Sequence, residues 1–166
     1  MIGLRELAPD DARAVREIYT GRSVRFLGRG DMGGDEAMTY VGNALAWSTH
    51  QPRLRYVLGI DVDGDLVGVV KLNVTADVGR LSYILRRNTW GRGYATCAVS
   101  SLLAFAFGPL SLSAVHAKHR VRNRASGRVL LKAGFTRTET AHGFSLYAAK
   151  RAAEPTPTVG AREGPR

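Results

Sequence analysis

The sequence predicts a single domain of the α+β class, mixing six to seven short strands with four helices. Three observations predict it. The chain has 166 residues, enough for one core and too few for two. Apolar residues alternate as in strands in several short runs and recur at helical spacing in four longer ones. Hydrophobic residues make up 45% and charged residues 23%, the balance of a globular chain, and mean hydropathy is −0.13.

The elements follow in order. Leu4–Leu7 alternates and reads as a first strand. Asp10 is placed to cap a helix from Asp11 to Thr20, on which Ala12, Val15, Ile18 and Tyr19 share a face. Residues 21–34 are rich in Gly, Arg and Asp and read as a mobile loop anchored by Phe26 and Leu27. Asp35 is placed to cap a second helix through about Ser48, with Ala37, Tyr40, Val41, Ala44, Leu45 and Trp47 apolar. Arg55–Ile60 and Leu66–Val74 are strands joined by a hairpin turn over Asp61–Asp65. A strand at Gly79–Leu85, a helix at Gly93–Phe107 and a strand at Leu110–Lys118 come next. A helix over Asn123–Ala133, closed by Gly134, precedes final strands at Phe135–Glu139 and Phe144–Tyr147. The domain thus spans residues 1–150. The tail 151–166, with Pro155, Pro157 and Pro165 and almost no bulky apolar side chain, cannot bury enough surface to order itself and is expected to be disordered.

Charge is informative through its placement. The net charge is +10, yet no Asp or Glu occurs between Asp77 and Glu139, a stretch that carries 11 Lys and Arg residues. Such a stretch implies a polyanionic partner, either nucleic acid or a phosphorylated cofactor. No run approaches the roughly 18 apolar residues of a membrane span. Met1–Glu6 lacks the layout of a signal peptide, so a cytoplasmic location is expected. The one cysteine, Cys97, makes no internal disulfide and no Cys-rich zinc site, and reads as a buried packing residue; no metal is expected.

Chemistry concentrates in residues 81–96, a strand, a glycine turn and a helix start. Gly91 and Gly93 let backbone approach a ligand without a Cβ in the way. The N–H groups of the first helical turn then point into that space and, with the helix dipole, make an anion site. Arg86, Arg87 and Arg92 stand at its rim, and a pyrophosphate is the natural guest. A dinucleotide fingerprint needs a third glycine where Thr96 stands and an acid about 20 residues on, and a phosphate loop of the NTPase kind needs Gly-Lys-Ser/Thr. Both patterns are absent.

The segment Trp90-Gly91-Arg92-Gly93-Tyr94-Ala95-Thr96 resembles the acyl-CoA pyrophosphate loop of the GNAT superfamily of N-acyltransferases. Asn123-x-x-Ser126-x-Arg128-Val129-Leu130-x-Lys132-x-Gly134-Phe135 is similar to the second signature of the RimJ/RimL-like branch, and Leu4-Arg5-x-Leu7-x-x-x-Asp11-Ala12 to its opening. The resemblance covers about residues 2–148. It implies a mostly antiparallel central sheet of six to seven strands, flanking helices, and a V-shaped split between the fourth and fifth strands where acetyl-CoA or another acyl-CoA binds. It further implies that backbone at Gly91, Arg92, Gly93, Tyr94, Ala95 and Thr96 holds the pyrophosphate, with Arg86 at the rim, and that strand backbone near Tyr83 and Leu85 pairs with the pantetheine. Asn123 and Ser126 match positions beside the cofactor arm, where the serine protonates the leaving thiolate. Read without the resemblance, Ser126 is a polar residue of an exposed first turn and Asn123 an N-cap.

Acyl transfer to an amine also needs a proton acceptor. A carboxylate from residues 78–138 is impossible, and the position where relatives place an acid holds Arg80. His116 and His119 are the titratable candidates, since imidazole ordinarily titrates at about pH 6.5. Three residues apart in a strand, they face opposite sides. Asp31, Asp35 and Glu36, beside the loop that carries Phe26, are candidates for holding the acceptor or taking its proton. The leading function is transfer of an acetyl or other short acyl group to a primary amine of a small molecule or a protein or peptide N-terminus. The alternative is a non-catalytic nucleic-acid or ribosome-binding module, with Arg120, Arg122, Arg124 and Arg128 tracking phosphates. Few aromatics interleave with those arginines, which disfavours nucleic acid. No membrane partner is expected, and a homodimer is admitted.

Overall fold

The computed structural model describes residues 1–153; the tail expected to be disordered lies, from residue 154 onward, outside the described residues. A two-residue Asp63-Gly64 turn joins β2 (Arg55–Val62) to β3 (Asp65–Thr75). That hairpin is the centre of an antiparallel run in which β1 (Ile2–Glu6) pairs with β2, and β3 with β4 (Val78–Leu85). After β4 the chain crosses over through α3 (Tyr94–Phe107) and returns as β5 (Ala114–Arg120), which pairs with β4 in parallel. β7 (Phe144–Lys150) inserts between β5 and β6 (Thr136–Ala141), so the seven-stranded order is β1-β2-β3-β4-β5-β7-β6. The sheet is therefore mixed and mostly antiparallel, as the resemblance implies.

Helices cover both faces. α1 (Ala12–Ile18) and α2 (Gly34–Ser48) bury Val15, Ile18 and Val41 against Val57, Val69 and Ile84. On the other face α3 and α4 (Arg124–Lys132) bury Val99, Leu102 and Leu130 against Leu72, Leu81 and Val115. The strand period of two sends Leu81 and Ile84 to opposite layers.

Several local expectations need correction. The first helix opens with a 3-10 turn at Pro9–Asp11, and it is Asp11, not Asp10, whose carboxylate accepts from the Ala8 N–H, at 2.7 Å. Residues 21–34 contain a 3-10 turn at Gly21–Val24, and their anchors are the buried Val24 and Met32; Phe26 is half-buried and Leu27 exposed. The Met32 N–H donates to Tyr19 O at 2.9 Å and the Gly21 N–H to Asp31 at 2.8 Å, which ties the loop's two ends together. The strand expected from Leu110 begins at Ala114, because Leu110 and Leu112 instead donate back to Phe105 and Ala106 at the end of α3. Cys97 is exposed rather than buried, since α3 turns Ala98, Val99 and Leu102 inward. Arg151, assigned to the tail, donates its N–H to Ser113 O at 3.0 Å.

One ion network fastens β1. The Arg5 guanidinium meets Asp11 at 2.7 and 3.0 Å and Asp61 at 2.9 Å. It holds both carboxyls below the usual carboxylate range. A carboxyl depressed in the folded state stabilises above its ordinary value and loses that contribution as pH falls through its folded value. Asp11→Asn should therefore cost about 1–2 kcal/mol at pH 7, and the difference from the parent should shrink at about pH 3 and below. Denaturant unfolding at the two pH values checks this.

Candidate active site

β4 and β5 pair only from Val78–Leu81 against Ala114–Ala117, and beyond that the two strands part. The Arg86 N–H donates to Val67 O on β3, at 2.8 Å. By strand alternation the backbone polar groups of Leu85 and Tyr83 therefore face away from β3, into the split. Leu85 O is taken by Trp90 Nε1 at 3.0 Å. A cavity of about 740 Å³ occupies the split and is lined from both faces of the sheet. Tyr83, Asn123, Ser126, His119 and Tyr147 line it from the α4 side. Phe26, Arg80, His116, Lys118 and Glu139 line it from the α2 side.

The α4 side is hydrogen-bonded throughout. The Tyr83 hydroxyl donates to Ser126 Oγ at 3.0 Å. Burial pushes the Tyr83 phenol above the usual tyrosine range, a shift that the Ser126 bond only partly offsets. Asn123 caps α4, accepting the Ser126 N–H on Oδ1 at 3.3 Å. Beneath them His119 is buried, with Nδ1 2.7 Å from Arg120 O and Nε2 3.0 Å from the Tyr147 hydroxyl. A carbonyl can only accept, so Nδ1 carries a proton, and in the neutral ring Nε2 accepts from Tyr147. Gly127 lets α4 lie directly on this pair: a Cβ there would stand 2.8 Å from His119 Nε2 and 2.9 Å from Tyr147 Oη. His116 lies on the opposite, exposed face of β5, as alternation requires.

At the end of the split α3 starts without a cap. Gly91 and Gly93 have φ of 77° and 80°, a left-handed backbone that glycine adopts without strain. The Cys97 N–H is the first to close a turn, onto Gly93 O at 3.0 Å. The N–H groups of Tyr94, Ala95 and Thr96 precede it and have no acceptor within the helix, and no side chain caps the helix start. Nothing lies within 4 Å of where a Cβ would sit on either glycine. The backbone is thus open to an anion. Arg87 stacks on Trp90, 4.7 Å from the ring centroid, and Arg92 is exposed. Arg86 is bound to Asp65 at 2.5 Å, so its charge is already compensated.

Of the residues expected at the acceptor end, Phe26 lines the cavity, while Asp31, Asp35 and Glu36 do not. Asp31 closes its own loop and Glu36 pairs with Arg29 at 2.6 Å. Three contributors are invisible to the sequence reading. They are the side chain of Tyr83, the packing glycine Gly127, and Glu139, the one carboxylate on the cavity wall. Among the described residues no group of His, Cys, Asp and Glu could hold a metal ion, and no helix is long and apolar enough to cross a membrane.

Comparison with known proteins fits this geometry. The profile of the family described as "Acetyltransferase (GNAT) domain" matches residues 2–136. The uncharacterized N-acetyltransferase YoaA of Bacillus subtilis is 26% identical over 137 residues, covering 80% of this chain and 77% of that protein. Among solved structures, the RimL ribosomal L7/L12 alpha-N-protein acetyltransferase in complex with coenzyme A superposes with a TM-score of 0.77 at 18% identity, over 90% of this chain and 94% of that one. The aminoglycoside acetyltransferase AAC(6')-Ib in complex with coenzyme A superposes with a TM-score of 0.75 at 17% identity, over 91% and 95%.

Proposed function

The chain belongs to the GNAT acetyltransferase family, and from that premise we propose that its one domain, residues 1–150, transfers an acetyl or other short acyl group from acyl-CoA to a primary amine of a small molecule or a protein N-terminus. The observation that carries this reading is the convergence, at one split in the sheet, of an uncapped helix start and a hydroxyl pair 3.0 Å apart.

Acyl-CoA supplies an activated thioester to such a site. The Gly91–Gly93 turn and the N–H groups of Tyr94, Ala95 and Thr96 are suited to hold its pyrophosphate, with Arg92 at the rim. The Tyr83 backbone in the split is suited to pair with the pantetheine. Ser126 Oγ already accepts from Tyr83, so its own proton is left to point into the cavity and to neutralise the departing sulfur. Tyr83, kept protonated by burial, steadies the Ser126 oxygen through its hydrogen bond as that proton leaves. His119 has both ring nitrogens engaged and acts as a positioning residue under α4. On the opposite wall His116 and Glu139 are the groups able to accept the proton of the incoming amine.

Acetyl-CoA should raise the melting temperature, because a ligand that binds only the folded state adds about 2.7 kcal/mol at 100 times its Kd. Gly93→Val should abolish most of that shift. A β-branched residue resists φ of 80° and stands where backbone must meet phosphate. The fold itself should lose only about 1–2 kcal/mol. Absence of any shift in the parent with millimolar acetyl-CoA or longer thioesters overturns the reading.

A further inference from the structure

The cavity wall facing α2 carries more cations than the proposed reaction uses. His116, Lys118 and Arg120 alternate along β5 and so share one face, and Arg80 is the register partner of His116 on β4. All four line the cavity, together with Glu139 as the single carboxylate. Among the described residues none of Arg80, Lys118 and Arg120 has an ion-pair partner, in contrast to Arg5, Arg29, Arg53 and Arg86. Two of them are gathered on one ring: Lys118 Nζ lies 4.6 Å and the Arg120 guanidinium 4.3 Å from the Phe144 centroid. The loop that carries Phe26 reaches the Arg120 end of this wall, where a Cβ on Gly28 would stand 3.8 Å from Arg120 Nη2. Like charges collected at one place repel, and their cost is relieved when an anion lies among them.

The phosphates of acyl-CoA do not account for this wall. The uncapped turn that suits them opens α3, which packs on the opposite face of the sheet from these side chains. The surplus charge therefore faces the other substrate. We infer that the amine acceptor carries its own acidic group, a carboxylate or phosphate close to the reacting nitrogen, which Lys118, Arg120 and Arg80 hold while the amine faces the split. This rests on the acyltransferase reading and narrows its acceptor class. A polyamine or an aminoglycoside carries only positive charge, and this wall opposes it with at least three positive charges against one negative.

The test uses matched acceptors that differ only in the acid: glycine against glycinamide, phosphoethanolamine against ethanolamine, and an Asp-containing against an Asn-containing dipeptide, with spermidine and kanamycin as polycations. Release of free CoA gives kcat/KM, and thermal shift in the presence of CoA gives binding without turnover. The acidic member of at least one pair should lead its neutral partner by about tenfold or more, and that pair identifies carboxylate or phosphate as the group held. Lys118→Met and Arg120→Gln should each raise KM for that acceptor by about three- to tenfold, with the shift produced by acetyl-CoA unchanged. Equal or better use of neutral or polycationic members overturns the inference. So does a preference that survives the double variant, or no acid-dependent difference in either rate or thermal shift. Loss of the acetyl-CoA shift in the parent protein is a separate result and overturns the acyltransferase reading itself.

Discussion

Ser126→Ala should lower kcat by about 10²–10⁴-fold and leave the acetyl-CoA Kd within about twofold. The asymmetry follows from when the interaction is made. A hydroxyl aimed at the thioester sulfur contributes little while that sulfur is neutral and most as it departs with charge, so the loss falls on the transition state. Tyr83→Phe should cost less, about tenfold, because Ser126 keeps its own proton and loses only the donor that orients it, 3.0 Å away. Burial holds the Tyr83 phenol above the ordinary range, so this donor should not ionise as pH rises through about 10, and no fall in kcat from that source should appear there. The wall facing α2 serves the other proton transfer. There kcat should fall in His116→Ala or in Glu139→Gln, whichever group accepts the amine proton, and hold near the parent's in the other. Parent-like kcat in Ser126→Ala would remove the hydroxyl pair from the proton route.

Much of the fold is legible because the layers print their periods on the chain. The run from Leu66 to Val70 is buried on both faces and is apolar at nearly every position, and α4 shows its inner stripe through Gly127 and Leu130. What the residues do not print is adjacency. The split depends on β4 and β5 pairing over four positions and then parting. Glu139 reaches the cavity beside its β7 register partner Leu146, so the carboxylate that closes the acid-free stretch in sequence comes back to its wall in space. Ser126 and Asn123 are found by the spacing of a motif, and the opposite orientation of His116 and His119 by strand alternation. The Tyr83 phenol escapes notice because an aromatic residue in a strand reads as core, and only the helix opposite makes it a donor. The loop anchors Val24 and Met32 escape for another reason. No period governs an irregular segment, so Phe26 and Leu27 outweigh them by size alone.

Gly127 is where a small change should travel furthest. An ideal Cβ there meets His119 Nε2 at 2.8 Å and Tyr147 Oη at 2.9 Å, and neither neighbour is a loose side-chain end. His119 is tied through Nδ1 to Arg120 O at 2.7 Å, and Tyr147 is only 5% exposed. The strain therefore passes to α4, which must lift from the sheet and carry the adjacent Ser126 with it. A displacement of about 0.5 Å is enough to lengthen the bond from Tyr83 beyond good hydrogen-bond geometry. Gly127→Val should destabilise the fold by about 2–3 kcal/mol through overpacking. Gly127→Ala should cost less, because alanine recovers up to about 1 kcal/mol of helix propensity. Both should lower kcat more than they weaken acetyl-CoA binding, since the turn at Gly91–Gly93 stands on α3 and not on α4. Tyr147→Phe removes one of the two clashing atoms, so combined with Gly127→Ala it should return part of the lost stability and rate. Denaturant unfolding, kcat and the acetyl-CoA thermal shift measured on the same four proteins decide the matter. If Gly127→Ala matches the parent in all three, α4 does not rest on the His119–Tyr147 pair, and the position of Ser126 is set elsewhere.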